Sequence, residues 1–312
     1  MNVIELNGIL KEYDNLRVVD NLNLQVKEGE IYGFLGPNGA GKSTTIGMIC
    51  NTIRPTSGEI FIYNHNIATE FRKVSKCIGL VPQNIALYQQ YTAAENVKLF
   101  GDLYHINRSE IKNRVQQALK QTGLEQVADK QAKKFSGGML RRLNIACALV
   151  HNPKILIMDE PTVGIDPQSR NYILDTIKGL NAQGTTIIYC SHYMEEVEAL
   201  CNNIIIMDKG KRLIEGTKDY LKNSVDVNKT LKLTVDFIQN EMIEHIKVIE
   251  GVLSILAKNY NEIEIVISKD ANNLSEIISF ITEQGITISN IQYEDVTLET
   301  VFLALTGKKL RD

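Results

Sequence analysis

Apolar residues follow two different periods along the chain. Leu22, Leu24 and Val26 alternate with polar neighbours, which predicts a half-buried strand. The segment Ile31–Leu35 is almost continuously apolar and stops at Gly36, which is typical of a fully buried strand in a parallel sheet. Further strands are predicted at residues 59–63, 154–158 and 185–190.

Helical periods separate these strands. Ile111, Val115 and Leu119 share one helix face, and we expect Ser109 to cap the start of this helix and Gly123 to end it.

Two further helices are predicted from their first residues. Asp166, followed by Pro167, is expected to begin one that carries Ile173 and Ile177, and Ser191 is expected to cap the other. Strands that alternate with helices predict an α/β sheet with helices on its faces.

The pattern changes near residues 221–228. Beyond that point we predict a strand at 231–237, a helix through about 248, strands at 252–257 and 262–268, a helix at 273–283, a strand at 286–291 and a last helix at 297–306. Without that last helix, the order β-α-β-β-α-β is the split arrangement of ferredoxin-like domains. The sequence therefore predicts two domains, residues 1–220 and 229–312, with a helical subdomain at about 86–150 in the first.

Composition limits the class of protein. Of the 312 residues, 44% are hydrophobic and 23% charged, as in a soluble globular protein. The net charge of −3 argues against bulk affinity for nucleic acid, and no nucleic-acid partner is expected. Five scattered cysteines without a C-x-x-C pair favour reduced thiols in the cytosol. We see no secretory leader and no run near the ~20 apolar residues of a membrane helix, so the chain is not expected to span a membrane itself.

A complete phosphate-binding motif begins where the buried strand ends. The residues that match G-x-x-x-x-G-K-[ST] are Gly36, Pro37, Asn38, Gly39, Ala40, Gly41, Lys42 and Ser43. The glycines let backbone N–H groups converge on phosphate oxygens, and the following helix adds its dipole. We expect Lys42 to reach the β- and γ-phosphates of ATP, Ser43 to bind Mg²⁺, and Thr44 to contact the nucleotide.

A second motif is an apolar strand that ends in two acids, Asp159 and Glu160. Before Pro161 such a pair is also compatible with a simple helix cap. Beside a phosphate loop, however, an acid at the carboxyl end of a strand is where the metal is held, so Asp159 is a candidate ligand of Mg²⁺. Glu160 is placed to accept a proton from the attacking water.

Residues 135–139 narrow the choice to one family. The segment Phe135, Ser136, Gly137, Gly138, Met139 resembles the L-S-G-G-Q signature of ABC ATPases, with departures at the first and last positions. The S-G-G-M form followed by basic residues is similar to the drug-resistance exporter branch. By itself S-G-G indicates only a turn before a helix, whose N-terminus offers an anion site to a partner molecule.

The resemblance covers about residues 1–220 and implies roles for four more residues. Tyr13 corresponds to the aromatic that stacks on adenine, although ordinary packing is the alternative. Gln83 corresponds to the loop glutamine that senses the γ-phosphate, binds the metal and contacts the membrane partner. Asp166 corresponds to the loop that crosses the dimer, unless it is only a helix cap, and His192 to the switch histidine. A weaker likeness to exporter tails covers residues 294–302.

The resemblance implies an α/β P-loop NTPase of ABC type, with a mixed or parallel sheet and a helical subdomain, followed by the small α+β ferredoxin-like domain. It implies an ATP-binding and ATP-hydrolysing subunit of an ABC transporter, of the exporter kind. Two ATP-binding subunits would sandwich ATP and Mg²⁺, with residues 136–138 of each facing the phosphate loop of the other. The membrane-spanning permease would be another chain, and this one would lie peripherally at the cytoplasmic face of the cell membrane.

Two alternatives belong to other functional classes. The first is an ABC ATPase that acts on ribosomes or DNA. Ribosome-associated relatives carry two cassettes and DNA-repair relatives a long coiled coil, whereas this chain has one cassette and no sustained heptads between Ser43 and Asp159. The second is a binding module that senses ATP without turnover, against which the intact Glu160 and His192 argue.

Overall fold

The computed structural model describes residues 1–225, 228–268, 270–294 and 296–307. It divides into two units, the first Met1–Lys218 and the second beginning at Asp219. Parts of the sequence predictions lie outside the described residues: positions 226 and 227 of the domain boundary, Asp295 of the tail, and the last five positions, 308–312.

The first unit alternates strands and helices, as the sequence predicts. In chain order it contains β1 (Asn2–Tyr13), β2 (Leu16–Lys27), β3 (Ile31–Leu35), α1 (Lys42–Ile49), β4 (Ser57–Ile62), β5 (His65–Asn66), α2 (Ile67–Val74), β6 (Ile78–Val81), α3 (Ala93–Leu103), α4 (Arg108–Gln121), α5 (Gly137–Leu149), β7 (Ile155–Asp159), α6 (Pro167–Ala182), β8 (Thr186–Ser191), α7 (Met194–Leu200), β9 (Asn203–Asp208) and β10 (Lys211–Thr217).

Two sheets organise this unit. The larger has the order β10-β9-β3-β8-β7-β6 and is parallel except for the β9–β10 pair, which confirms the predicted mixed sheet. The smaller sheet, β2-β1-β4-β5, is antiparallel. One hydrophobic core joins residues of both sheets and of α1, with members such as Ile4, Ile62, Ile46, Ile157 and Ile205. The central strands β3, β7 and β8 are buried along their whole length, which is why their sequences are almost continuously apolar.

The helical segment between β6 and β7 corrects one predicted helix start. The first turn of α4 begins at Arg108, because the Asn107 carbonyl already accepts hydrogen bonds from Glu110 and Ile111. Ser109 therefore lies inside the helix, and its prediction as the N-cap is wrong. Gly123 follows α4 with φ +63°, as predicted for the stop.

The start of α7 gives a second correction. The N-cap prediction for Ser191 is wrong, because Ser191 is the last residue of β8 and α7 begins at Met194. The Ser191 hydroxyl instead accepts the Tyr193 N–H at 2.9 Å and donates to Glu196 at 3.3 Å. By contrast, Asp166 caps α6 as predicted, accepting the Ser169 N–H at 2.9 Å.

The second unit follows in the chain after α8 (Lys218–Asn223). Its elements are β11 (Lys229–Val235), α9 (Asn240–Lys247), β12 (Val252–Ala257), β13 (Glu262–Ile267), α10 (Leu274–Glu283), β14 (Ile288–Glu294) and α11 (Leu298–Thr306). The antiparallel sheet has the order β12-β13-β11-β14, which is the predicted ferredoxin-like topology. Its core consists of aliphatic residues of the sheet, α9 and α10.

Across the described residues of both units, the helices are all too short or too polar to cross a membrane.

Candidate functional site

The phosphate loop connects β3 to α1 through positions that only glycine fits. A Cβ on Gly36 would lie 2.3 Å from the Met207 carbonyl oxygen, and one on Gly41 would lie 2.6 Å from that of Val18. Gly39 and Gly41 also have φ of +82° and +96°, a region that disfavours side chains. Asn38 and Gly39 form the exposed tip of the loop.

Lys42 is held inside this loop. Its side chain is 5% exposed, and its ammonium donates to the carbonyls of Gly36 at 2.7 Å and Pro37 at 3.1 Å. It also lies 3.8 Å from an oxygen of Glu160. A buried cation at the start of a helix, surrounded by glycine backbone, is suited to bind an anion such as a nucleotide phosphate.

Asp159 and Ser43 carry the oxygen atoms that the sequence predicts as magnesium ligands. Asp159 ends β7, is 7% exposed, and its Oδ1 atom makes no hydrogen bond to any described residue. A buried carboxylate oxygen without a partner is costly and calls for an explanation, and oxygen ligands are what Mg²⁺ prefers. Ser43 lies exposed in the first turn of α1, followed by the half-buried Thr44.

Glu160 joins three other predicted residues in one cluster. Its carboxylate is 3.3 Å from Gln83 Nε2, 3.1 Å from His192 Nδ1 and 3.8 Å from Lys42 Nζ. Glu160 is 5% exposed, and its φ of +49° is unusual for a residue other than glycine. The Glu160 N–H donates to the Cys190 carbonyl at 2.9 Å, which anchors this strained turn to β8. Backbone strain of this kind persists where surrounding structure enforces it, commonly at functional sites.

Glu196 on α7 is a buried carboxylate beside this cluster that was not predicted from the sequence. It is 3% exposed and accepts hydrogen bonds from Tyr189 at 2.6 Å and Thr162 at 2.7 Å. Burial, then the Glu196 charge, raise the pKa of the Tyr189 phenol, which therefore stays a donor. Helical spacing signals the burial, since Glu196 lies one residue before Val197 and four before Leu200, both on the buried face.

The loop after Gln83 is fixed by three buried polar side chains. Arg141 on α5 donates to the Pro82 carbonyl at 3.0 Å and the Gln83 carbonyl at 2.8 Å, and burial lowers its pKa. Further along the loop, Asn144 accepts the Ala86 N–H at 3.4 Å.

Asn96, fully buried on α3, bonds both backbone groups of Tyr88. The loop thus presents a stacked pair of exposed rings, Tyr88 and Tyr91, with centroids 5.3 Å apart, on a rigid support.

The remaining predicted residues lie outside the Glu160 cluster. Ser136 caps α5. Two residues later, Gly138 packs against α6, where a Cβ would lie 2.1 Å from Ser169 Oγ and 3.3 Å from Asp166 Oδ2. Gly137 has open space around it.

Tyr13, at the end of β1, is 45% exposed, with the Lys11 ammonium 4.5 Å from its ring centroid. A ring exposed to this degree is not a core residue, which is compatible with a stacking role.

Comparisons with known proteins agree with this geometry. Residues 19–163 match the family model described as ABC transporter. The chain is 41% identical to the linearmycin resistance ATP-binding protein LnrL of Bacillus subtilis (strain 168), over 99% of this chain and 100% of that one. It is 33% identical to the Nod factor export ATP-binding protein I of Cupriavidus metallidurans, over 99% of both chains.

Among solved structures, the dimeric post-hydrolysis state of the ATP-binding cassette MJ0796 bound to ADP and Pi superposes with a TM-score of 0.63 and 31% identity. It covers 69% of this chain and 98% of that one.

Proposed function

This chain belongs to the ABC transporter family as an ATP-binding subunit with ATPase activity, and from that premise we propose how its residues divide the work. The observation that carries the proposal is the cluster in which the Glu160 carboxylate meets Lys42, Gln83 and His192. Membership in a transporter family sets aside the ribosome- or DNA-directed alternative.

Glu160 acts as the general base. Its carboxylate is an acceptor for the proton of the attacking water, and it lies 3.8 Å from the Lys42 ammonium of the phosphate loop. Gln83 and His192 contact different oxygens of the same carboxylate, so they orient it from two sides. The phosphate loop, Lys42 and Thr44 hold the triphosphate, and Tyr13 stacks on the adenine.

Ser43, Gln83 and Asp159 would hold Mg²⁺. The unpartnered Oδ1 atom of the buried Asp159 supports this assignment. When bound, the ion would neutralise charge on the β- and γ-phosphates.

Two ATP-binding subunits close around two nucleotides. The exposed start of α5, with Ser136 at its cap and Gly137 in open space, is suited to contact a phosphate on a second subunit. Asp166 packs beside Gly138 and would lie at the same interface. The dimeric MJ0796 cassette gives the precedent for such a pair.

The chain docks on a separate permease at the cytoplasmic face of the membrane and drives export. The docking surface is the fixed loop with the exposed rings of Tyr88 and Tyr91, because a rigid aromatic surface next to Gln83 can pass motion to the site. Resistance and export functions in the relatives' names support export as the direction. Tyr88→Ala is expected to reduce sedimentation with permease-containing membranes and to spare ATP binding, whereas Tyr260→Ala in the second unit changes neither.

The substitution Glu160→Gln tests the whole proposal. The glutamine has the same size as the glutamate and leaves the phosphate loop unchanged, but it cannot act as a base. Turnover of Mg-ATP is therefore expected to fall by about 10²–10⁴-fold. ATP binding persists, and the variant collects as an ATP-locked dimer on size exclusion, whereas chelation of Mg²⁺ stops turnover in the unmodified chain. Hydrolysis by the variant at the unmodified rate contradicts the assignment.

A further inference from the structure

One ion pair with a buried carboxylate lies next to the Glu160 cluster, and neither of its residues is a proposed ligand of nucleotide or metal or the proposed base. Glu196 is 3% exposed and pairs through Oε1 with the Nε of Arg170, whose side chain is 32% exposed. The other oxygen, Oε2, accepts from Tyr189 at 2.6 Å, Thr162 at 2.7 Å and Ser191 at 3.3 Å. A buried carboxylate with this many donors is fully satisfied and therefore fixed in place.

The donors lie beside the two residues at the centre of the cluster. Thr162 follows Glu160 by two positions, and Ser191 directly precedes His192. One carboxylate therefore fixes both chain segments whose side chains meet at 3.1 Å. Without it, the end of β8 and the turn after β7 keep the hydrogen bond from the Glu160 N–H to the Cys190 carbonyl but lose their shared side-chain contact.

The arginine of the pair extends this support to His192 and to α6. Its guanidinium lies 4.6 Å from the ring centroid of Tyr193, and that ring is 4.3 Å from the ring of His192. Arg170 is on the first turn of α6, one residue after Ser169, against which Gly138 of the signature segment packs. The contacts are thus continuous from the signature segment to the Glu160–His192 pair.

We propose that Glu196 and Arg170 form a positioning pair that holds His192 against Glu160 and joins this arrangement to α6. The pair touches neither nucleotide nor metal, and it acts through the residues that it fixes. This inference rests on the proposed role of Glu160 as the general base.

The variant Glu196→Gln in the full chain tests the glutamate. It keeps the length of the side chain but gives Arg170 and the hydroxyl donors a neutral partner. Since misplacement of a reacting group by about 1 Å costs on the order of 10²-fold, we expect kcat to fall by about that factor. The KM and Kd for Mg-ATP are expected to stay within about twofold, because the Lys42 loop is untouched. Glu195→Gln, at the exposed neighbour on the same helix, is the matched control and leaves kcat, KM and Kd unchanged.

Variants of Arg170 test the other member of the pair. Because this side chain is partly exposed, they are expected to fold even if Glu196→Gln does not. Arg170→Gln is expected to lower kcat as Glu196→Gln does, and the double variant no further, since the pair acts as a unit. Arg170→Lys restores the charge without the planar stacking surface and is expected to recover only part of kcat.

Three results overturn the proposal: kcat within twofold of the unmodified chain in either folded single variant, losses that multiply in the double variant, or a Kd for Mg-ATP weakened as much as kcat. If instead the proposed role of Glu160 as the general base is wrong, Glu160→Gln retains turnover, so the two failures are distinguishable.

Discussion

The two units bury different kinds of side chain. In the described part of the chain, every buried polar or charged residue except Asn273 belongs to the first unit. They include Lys42, Asp159, Glu160 and Glu196, each under 10% exposed. The second unit instead has a core of aliphatic residues, such as Leu231, Ile265 and Ile281.

The difference in buried polar side chains indicates which unit carries the chemistry. Removing charge from water is expensive unless each charge is paired, so a protein retains such groups where they perform a task. The paired and strained groups of the first unit meet around Glu160, and comparable groups are missing from the described second unit. We therefore propose that the second unit performs no ATP chemistry and adjusts dimerisation or access to the permease.

The largest effect, on the free energy of unfolding, is expected from a substitution that creates a cavity in the second unit. Ile265→Ala, at a fully buried position of β13, is expected to lower the free energy of unfolding by about 2–5 kcal/mol, because it removes packed methyl groups. Denaturant unfolding measures this loss, and the Kd for ATP is expected to stay unchanged. Val248→Ala, 78% exposed in the same unit, is the control and alters neither. A parallel loss of ATP affinity in Ile265→Ala contradicts the division between the units.

A somewhat smaller effect, on the pH dependence of stability, is expected from His151, a histidine of the first unit that lies outside the Glu160 cluster. Burial lowers the pKa of His151 to about 4, against the opposing hydrogen bond to the Ile78 carbonyl. As the pH falls, the His151 side chain of the unfolded chain is protonated near pH 6.5, whereas that of the folded chain stays neutral until about pH 4. Protonation therefore favours the unfolded chain, so the stability that is present above pH 6.5 is lost as the pH falls towards 4. The total is about 3 kcal/mol.

His151→Phe, which retains a ring against Tyr104, is expected to flatten the fall of stability over that range. His105→Phe, at an exposed position, leaves the fall unchanged. Equal pH curves for His151→Phe and the unmodified chain exclude this explanation.

Third, measurements of nucleotide affinity distinguish the two helix starts of the first unit that we propose to bind phosphate. Lys42→Ala removes a buried charge and is expected to weaken ATP binding to dilute monomer by about 1.5–3 kcal/mol, or on the order of 10–100-fold. Ser136→Arg is expected to leave that affinity nearly unchanged but to prevent closure of the dimer, as calorimetry and size exclusion would report. Equal weakening by the two variants in monomer argues against a role of Ser136 on the partner subunit.

The smallest effect concerns the exposed Tyr13. Tyr13→Ala is expected to weaken ATP binding by about 1 kcal/mol, the scale of one aromatic stacking contact, whereas Tyr13→Phe binds as the unmodified chain does. The comparison is made by titration of each variant with ATP. If Tyr13→Ala binds normally, the ring does not stack on adenine.

The sequence alone determined the elements whose signal is local. The apolar run of β3 predicted its burial, because a strand buried on both faces must be apolar throughout. The phosphate loop is equally local, since glycine, lysine and serine follow one another in the order that the chemistry requires. The ferredoxin-like order of the second unit came from alternation and length. The strand β1 was missed because several register shifts between Asn2 and Glu12 break its two-residue period.

Only the tertiary structure decided which distant residues meet. Gln83, Glu160 and His192 come from different segments, and they touch because the parallel strands β6, β7 and β8 end at the same edge of one sheet. The left-handed turn at Glu160 is enforced by the neighbouring strand, so a local preference could not reveal it. Helical spacing places Glu196 on the buried face of α7, but the sequence does not show its partners, because the donors lie 5 to 34 residues away and only folding brings them together.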